Sequence, residues 1–396
     1  MAVTHGRQDT WCLDVTRLLS RAGLGPWTGI DRVEFRYLDH LADMPGRPFA
    51  LARVTGGYAL LDRTAMTALR ETLRNDPPES PQAAEHTVRQ LAFATPGRWQ
   101  LRAALRKALP PGCGYLNVGH SNLARNVFQA VRSVPGSRIL VFLHDTIPLD
   151  FPQFQRRGTA KRFARKFRLA VACADRVVCP SQASRSDVLR HAGHIGKRPP
   201  VTVAPLGVDL APPNRKGLPA SLKNCGPYFV SVGTIEPRKN HALLLSLWDG
   251  MAGRRDAPAL IIAGRRGWNN QAVFAALDAA PAKVLEFGSL GDGEVSALIA
   301  GSLGLLFPSF AEGFGLPACE AAAHGTPVIC SDLPVFHEVL GDYAIYADPS
   351  NLYSWATKIQ SLANRRITGN NENRGQERKP KLPTWEDHFG VVFGKA

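Results

Sequence analysis

Short apolar runs alternate with amphipathic stretches along the 396-residue chain. The first half carries Trp11-Cys12-Leu13-Asp14-Val15 and runs at 115–118, 138–143, 177–179 and 201–203. The second half carries runs at 228–232, 259–263, 284–287, 305–307 and 327–330. Runs so short and apolar predict strands covered on both faces, as in parallel sheets. Between them the period changes: Ile30, Val33, Tyr37 and Leu41 fall at helical spacing, with Asp31 and Glu34 near the helix start. Further helices are predicted over 241–248, over 318–324 and from 350 to about 364. Repeated strand–helix units, twice over and without sequence repeats, predict an α/β protein of two doubly wound, Rossmann-like domains facing a central cleft. Prolines and glycines gather without periodicity from 204 to 226, as a linker does. The expected division is 1–205, a linker at 206–226, 227–364, and a flexible 365–396 whose last segment packs back. Residues 75–112, rich in proline and basic groups, read as an irregular surface insertion.

Most of the candidate chemistry gathers in GLLFPSFAEGFGLPACEAAAHGTPVICSDL, residues 304–333. A strand closes at Pro308, a tight Gly313-Phe314-Gly315 turn follows, and Leu316-Pro317 opens an Ala-rich helix that Gly325 stops. The next strand should lie parallel to the first. Bare N–H groups at Gly313 and Gly315, with the positive end of the helix, suit an anionic or hydroxyl-rich ligand. Glu320, inside the helix, offers two acceptor oxygens to a vicinal diol, and Glu312 on the loop can face another part of the same ligand. Two surface glutamates on a capped helix would be the bland alternative, but the strand–turn–helix setting favours a site. A second loop, Gly233-Thr234-Ile235-Glu236-Pro237-Arg238-Lys239-Asn240, ends a strand with two cations just before a helix, which suits a diphosphate. A third candidate is His144-Asp145-Thr146-Ile147-Pro148, at the C-terminal end of the 138–143 strand. Thr28-Gly29-Ile30 makes another strand–turn–helix junction, where a simple βα turn is as good a reading as an anion site.

At EGFGLPACEAAAHGTPVICSD the sequence resembles the nucleotide-sugar signature of retaining GT-B glycosyltransferases of the family 4 type (glycosyl transferases group 1). The resemblance is dense from about Tyr228 to Pro349 and patchy before it. It implies that Glu320 holds the donor ribose, while Glu312 and the amides of Gly313, Phe314 and Gly315, with Leu316 beside them, meet the donor sugar. It puts Arg238 and Lys239 on the donor phosphates, and Gly264, Ser289 and Leu290 near the nucleotide base. It matches His144 to a donor-facing histidine and Gly29 to a loop facing the diphosphate. The acceptor belongs to the N-terminal domain in this family. The stretch from His144 to Pro148 looks most like mannosyl- and related transferases that build surface polysaccharides, which favours GDP-mannose and a glycan or lipid-linked acceptor.

Composition adds limits. The formal charge of +15 asks for an anionic partner or surface. Residues 156–168 carry Arg156, Arg157, Lys161, Arg162, Arg165, Lys166 and Arg168, interleaved with Phe163 and Phe167. Such a helix reads equally as a contact with an anionic membrane surface or as a solvated helix with a buried phenylalanine face. Net charge alone suggests a nucleic-acid-binding protein, yet no helix-turn-helix, finger or aromatic-studded RNA motif accompanies it. A phosphorylase or epimerase on the same fold is the other rival, separable by assaying sugar phosphate or epimer. Asp-X-Asp does not occur, so no metal or other cofactor is expected and Arg238, Lys239 and helix ends should neutralise the diphosphate. Seven scattered cysteines without a C-x-x-C pair read as reduced thiols, and the first residues lack the apolar core of a signal peptide. The expectation is a cytoplasmic enzyme, peripheral on the inner face of the membrane.

Overall fold

The structure is a computed structural model that describes residues 10–251, 253, 254, 256–367 and 380–394. It divides into two compact units. The first comprises residues up to His144 with 162–179 and 185–203, and the second comprises 145–161, 180–184 and everything from Ala204 on.

The first unit is built on seven strands: β1 (Trp11–Asp14), β2 (Phe49–Val54), β3 (Gly57–Leu61), β4 (Gly114–Asn117), β5 (Arg138–Phe142), β6 (Arg176–Cys179) and β7 (Val201–Val203). Their order in the sheet is β3-β2-β1-β4-β5-β6-β7. Every pairing is parallel except β2 with β3, a hairpin whose turn uses Gly56 at φ 79°, a left-handed value that glycine adopts without strain. The hairpin carries no Asn-Gly or Asp-Gly turn and was not foreseen. Leu13, Leu51, Leu60, Leu116, Val141 and Val177 are fully buried, as the two-sided burial of such strands requires.

Residues 75–112 are not the irregular insertion expected from their composition. Helices run over Arg63–Asn75, Pro81–Leu91 and Leu101–Ala108. Pro81 occupies the opening of its helix, where no N–H is needed, and Ser80 caps it by accepting from the Ala83 amide at 3.1 Å. Leu101 and Leu105 turn inward while Arg102, Arg106 and Lys107 stay outside. The prolines thus mark helix ends, and the basic residues form exposed faces.

The second unit holds six parallel strands: β8 (Tyr228–Val232), β9 (Ala259–Ala263), β10 (Val284–Phe287), β11 (Gly304–Phe307), β12 (Val328–Ser331) and β13 (Ile345–Ala347), ordered β10-β9-β8-β11-β12-β13. One side of that sheet packs Phe229, Leu260, Ile262, Leu306 and Ile329 against Leu244, Trp248, Trp355 and Ile359 of the helices. In both sheets the strand order reverses once, between β1 and β4 and between β8 and β11. Ligands of doubly wound sheets collect beyond the carboxyl ends of the strands at such reversals.

Helix Trp385–Phe393 packs back on the second unit as expected. Buried His388 contacts the carbonyls of Ala204 and Pro205 through Nδ1, and Trp385 donates its indole N–H to Asp209 at 2.7 Å. Residues 368–379 of the stretch expected to be flexible lie outside the described residues. Among those described, no helix is long and apolar enough to cross a membrane.

Candidate functional site

At the reversal in the second sheet, the loop after β8 meets the loop after β11. Pro237 opens a single 3-10 turn over Pro237–Lys239, and Asn240 then takes a left-handed conformation (φ 55°) before helix His241–Asp249 begins. The carbonyl of Arg238 accepts from the Phe310 amide at 2.8 Å, which fastens one loop to the other. Glu312 then receives both cations on one oxygen, Arg238 Nη1 at 2.7 Å and Lys239 Nζ at 2.7 Å. Arg238 is shared with Glu236, whose Oε1 accepts from Nη2 at 2.6 Å and Nε at 3.0 Å, and Nη1 also donates to the Ala311 carbonyl. The Lys239 ammonium lies 4.2 Å from the centre of the Phe307 ring.

These charges are out of water: the side chains of Glu312 and Lys239 are 9% and 11% exposed. Burial pushes the Glu312 carboxyl up, but Arg238 and Lys239 outweigh it and leave it below its usual range. For Lys239 burial wins over the pull of Glu312, with Arg238 adding repulsion, so its pKa is lowered. Burial likewise raises Asp145 to about 6, against the opposing charge of Arg238. Sequence reasoning expected two cations open to a diphosphate. The structure shows both already opposed by carboxylates, because Glu236 and Glu312 reach back across turns whose folding the sequence alone did not reveal.

The helix after this loop spans Leu316–His324. Gly315 precedes it at φ 89°, and a Cβ there would fall 2.5 Å from the Phe336 ring, so the backbone and the packing both demand glycine. Gly325 ends the helix in a second left-handed turn. The carbonyl of Gly313 accepts from Ser181 Oγ at 2.9 Å and Ser184 Oγ at 3.1 Å. Glu338 receives the backbone amide of Gln182 at 2.7 Å. Phe314 and Glu320 are buried at 4% and 8% exposure. The Phe336 ring packed against Gly315 fixes the turn that opens the helix, and the first amides of a helix are groups that no intrahelical partner satisfies.

Gly264, Ser289 and Leu290 lie just past the ends of β9 and β10, on the same edge of the sheet. Gly264 also has a structural reason to be glycine, since a Cβ would sit 1.9 Å from the Gly233 carbonyl. Arg238, Lys239, Glu312, Gly313, Phe314, Gly315, Leu316 and Glu320 are thus gathered within one unit. His144 and Gly29 belong to the other. Buried His144 contacts the Val118 carbonyl through Nε2 at 2.9 Å. Gly29 starts helix Gly29–Asp43, whose first turn is served by Asp31, accepting from the Thr28 amide at 2.8 Å and its hydroxyl at 2.7 Å. Sequence reasoning gave no role to Glu236, Ser181 or Ser184. The Glu-Pro-Arg spacing was the one available sign of the first.

Comparison with known proteins accounts for most of the chain. Residues 219–379 match the family of glycosyl transferases group 1, and residues 66–212 match Glycosyltransferase Family 4. The chain is 33% identical over 221 residues to the serotype-specific mannosyltransferase WbdA of Escherichia coli, a match covering 52% of this chain and 27% of the relative. It is 28% identical over 241 residues to O-antigen chain mannosyltransferase B of Escherichia coli, covering 57% and 61%. The chain therefore spans about a quarter of the first relative's length and about three fifths of the second's. Among solved structures, Anabaena HepE in complex with UDP and glucose superposes with a TM-score of 0.65 at 15% identity, over 97% of this chain and 98% of that one. That likeness establishes the two-domain GT-B fold.

Proposed function

Because the chain belongs to the group 1, family 4 glycosyltransferases, we propose that it moves a hexose from a nucleoside diphosphate to a hydroxyl of a lipid-linked or surface-polysaccharide precursor. Mannose, carried on GDP, is the sugar we favour, since the two relatives described above are named mannosyltransferases. Retention of anomeric configuration, independence from metal and peripheral attachment to an anionic membrane complete the proposal.

The observation that carries it is the buried quartet of Glu236, Arg238, Lys239 and Glu312 beside the Gly315 helix start. As the glycosidic bond breaks, the departing nucleoside diphosphate gains negative charge and the sugar becomes oxocarbenium-like. Cations held in a dry site with their geometry fixed interact more strongly with that transition state than with the bound donor. Arg238 is fixed by two carboxylates and a carbonyl, while Lys239 has the flexible stem and the single carboxylate partner. We assign Lys239 to the leaving group and Arg238 to the frame that holds it. Glu312 positions the donor sugar and Lys239 together, and Glu320 takes the ribose diol. Asp145, raised to about 6, is the group beside Arg238 able to change charge near neutrality.

A thermal-shift screen of UDP, GDP, ADP and dTDP with their sugars would name the donor. Lys239→Ala should then depress kcat by roughly 10²–10³ with little loss of donor affinity. Glu320→Ala should weaken donor binding by about 2–3 kcal/mol with kcat nearly kept. If Lys239→Ala weakened only donor binding, the leaving-group role would be wrong. Product anomericity by NMR tests retention.

A further inference from the structure

The strand-order reversal of the first sheet carries a cluster that the donor chemistry does not use. Beyond β1 lie Thr16 and Arg17, and beyond β4 lie Gly119 and His120. A Cβ on Gly119 would fall 1.7 Å from Glu34 Oε2 and 2.6 Å from Arg17 Cβ, so the loop backbone rests directly on both side chains. Lys166 reaches in from helix Thr159–Cys173 and donates to the His120 carbonyl at 2.7 Å. Arg53, near the end of β2, donates its backbone N–H to Thr16 Oγ1 at 2.9 Å. Its exposed guanidinium has no ion-pair partner among the described residues.

Carboxylates do little to balance this corner. Asp31 is taken by Arg17 at 2.6 Å and Arg21 at 3.4 Å. Glu34 is fully buried with Oε2 unpartnered, and burial followed by the charge of Asp14 drives its carboxyl well above the usual range. After burial, the strongest influences on the Lys166 ammonium are four cations, Arg53, Arg17, Arg162 and Arg165, and its pKa is lowered. Burial, and then Arg17 and Lys166, hold His120 down at about 4 despite its bond to the Phe142 carbonyl. Like charges gathered at a partly buried site repel one another, and a multiply charged anion placed among them relieves that repulsion.

We propose that this corner binds a phosphoryl group of the acceptor, with Arg53 and Lys166 donating to it and Arg17 supporting it from behind. A planar fork beside a compact ammonium suits the several oxygens of a phosphate or diphosphate. The word acceptor rests on the transferase reading above, whereas the anion site stands on its own geometry. Lys166 then belongs to an internal site, not to the outward basic stripe in which the sequence placed it. The phosphoryl group can arrive on a lipid or on a water-soluble sugar phosphate.

The test is calorimetric titration of the full chain with inorganic pyrophosphate, with saturating nucleoside diphosphate present to occupy the cations of the second unit. Arg53→Gln, an exposed change that leaves the core intact, and Lys166→Gln should each weaken pyrophosphate binding by roughly tenfold or more. Nucleoside diphosphate affinity should not change. Flotation with vesicles of phosphatidylglycerol or phosphatidylcholine separates the sources. If Arg53→Gln also reduces flotation on the anionic vesicles, the phosphoryl group is lipid-borne; if it affects pyrophosphate alone, the group is soluble. Pyrophosphate binding equal in all three proteins overturns the proposal. So does binding lost in Arg157→Gln or Arg168→Gln but kept in Arg53→Gln. Should nucleoside diphosphate fail to bind while Arg53-dependent pyrophosphate binding persists, the donor reading falls and the anion site remains.

Discussion

Removing the Glu312 charge, as in Glu312→Gln, should destabilise the second unit far more than removing Lys239. Glu312 is the carboxylate that opposes Lys239, and it shares Arg238 with Glu236. Without that charge, the buried ammonium keeps the Phe307 ring face, a neutral amide oxygen and the more distant Glu236, while Arg238 retains two bonds to Glu236. Breaking a buried ion pair from one side costs about 3–5 kcal/mol because the surviving charge stays buried. The bonds left on Arg238 place Glu312→Gln at the lower end, about 3 kcal/mol, or roughly 6–12 °C in Tm for a unit of this size. Lys239→Met leaves Glu312 still paired with Arg238 and removes an ammonium whose burial is unfavourable, so it should cost about 1 kcal/mol or less. Hydrogen exchange of the β8 amides reports on this unit specifically, and urea unfolding gives the total. The order should invert in turnover, where Lys239→Met is the more damaging. Equal destabilisation by the two variants would refute the assignment of Glu312 as the shared counter-charge.

Gly315→Ala should lose about 2 kcal/mol or more, from a positive φ and a collision with the Phe336 ring, and donor affinity should fall with it; an unfolding midpoint like the parent's would contradict this. EDTA in excess should leave turnover intact, and activity lost on chelation and restored by magnesium or manganese would overturn the metal-independent reading. His241 is 1% exposed with neither ring nitrogen bonded, and burial, then Lys239, depresses it to about 3. The unfolded chain therefore binds the extra proton first, so this contribution is complete above about pH 6.5 and falls as pH drops, by at most roughly 1.4 kcal/mol per unit. Urea midpoints across that window should show the slope in the parent protein and a shallower one in His241→Leu.

Most strands of both sheets and the Gly315 helix were legible because backbone pairing and burial leave a local signature in composition and period, whereas the three-residue edge strand β13 (Ile345–Ala347) is too short to show one. The run from Arg138 to Phe142 or from Ala259 to Ala263 needs no partner to be recognised. The hairpin of β2 and β3 was not, since its turn at Gly56 lacks the usual residues and its antiparallel edge breaks the pattern of the rest. Residues 75–112 were misread because proline content was weighed without asking whether a proline stood at a helix start, as Pro81 does. In the candidate site, Arg238, Lys239 and Glu312 were singled out from loops at strand ends, and Glu320 from the helix that follows one of them. Which charges oppose which was hidden, since Arg238 to Glu312 spans loops of two different strands. Lys166 was misplaced for the same reason: a basic helix looks uniform in sequence, and only the fold shows which cation turns inward.

Two short stretches, 145–161 and 180–184, fall with the second unit although the chain on either side of them builds the first. The hydroxyls of Ser181 and Ser184 that hold the Gly313 carbonyl come from one of them, and Asp145 from the other. The second unit is thus not a cassette that can be lifted out at position 204. A hybrid enzyme made by joining the 204–396 half to a foreign N-terminal partner would inherit the glycine turn without the serines that fix it. Recombination between relatives should succeed only where those stretches travel with the second half, or where the new partner supplies equivalent hydroxyls.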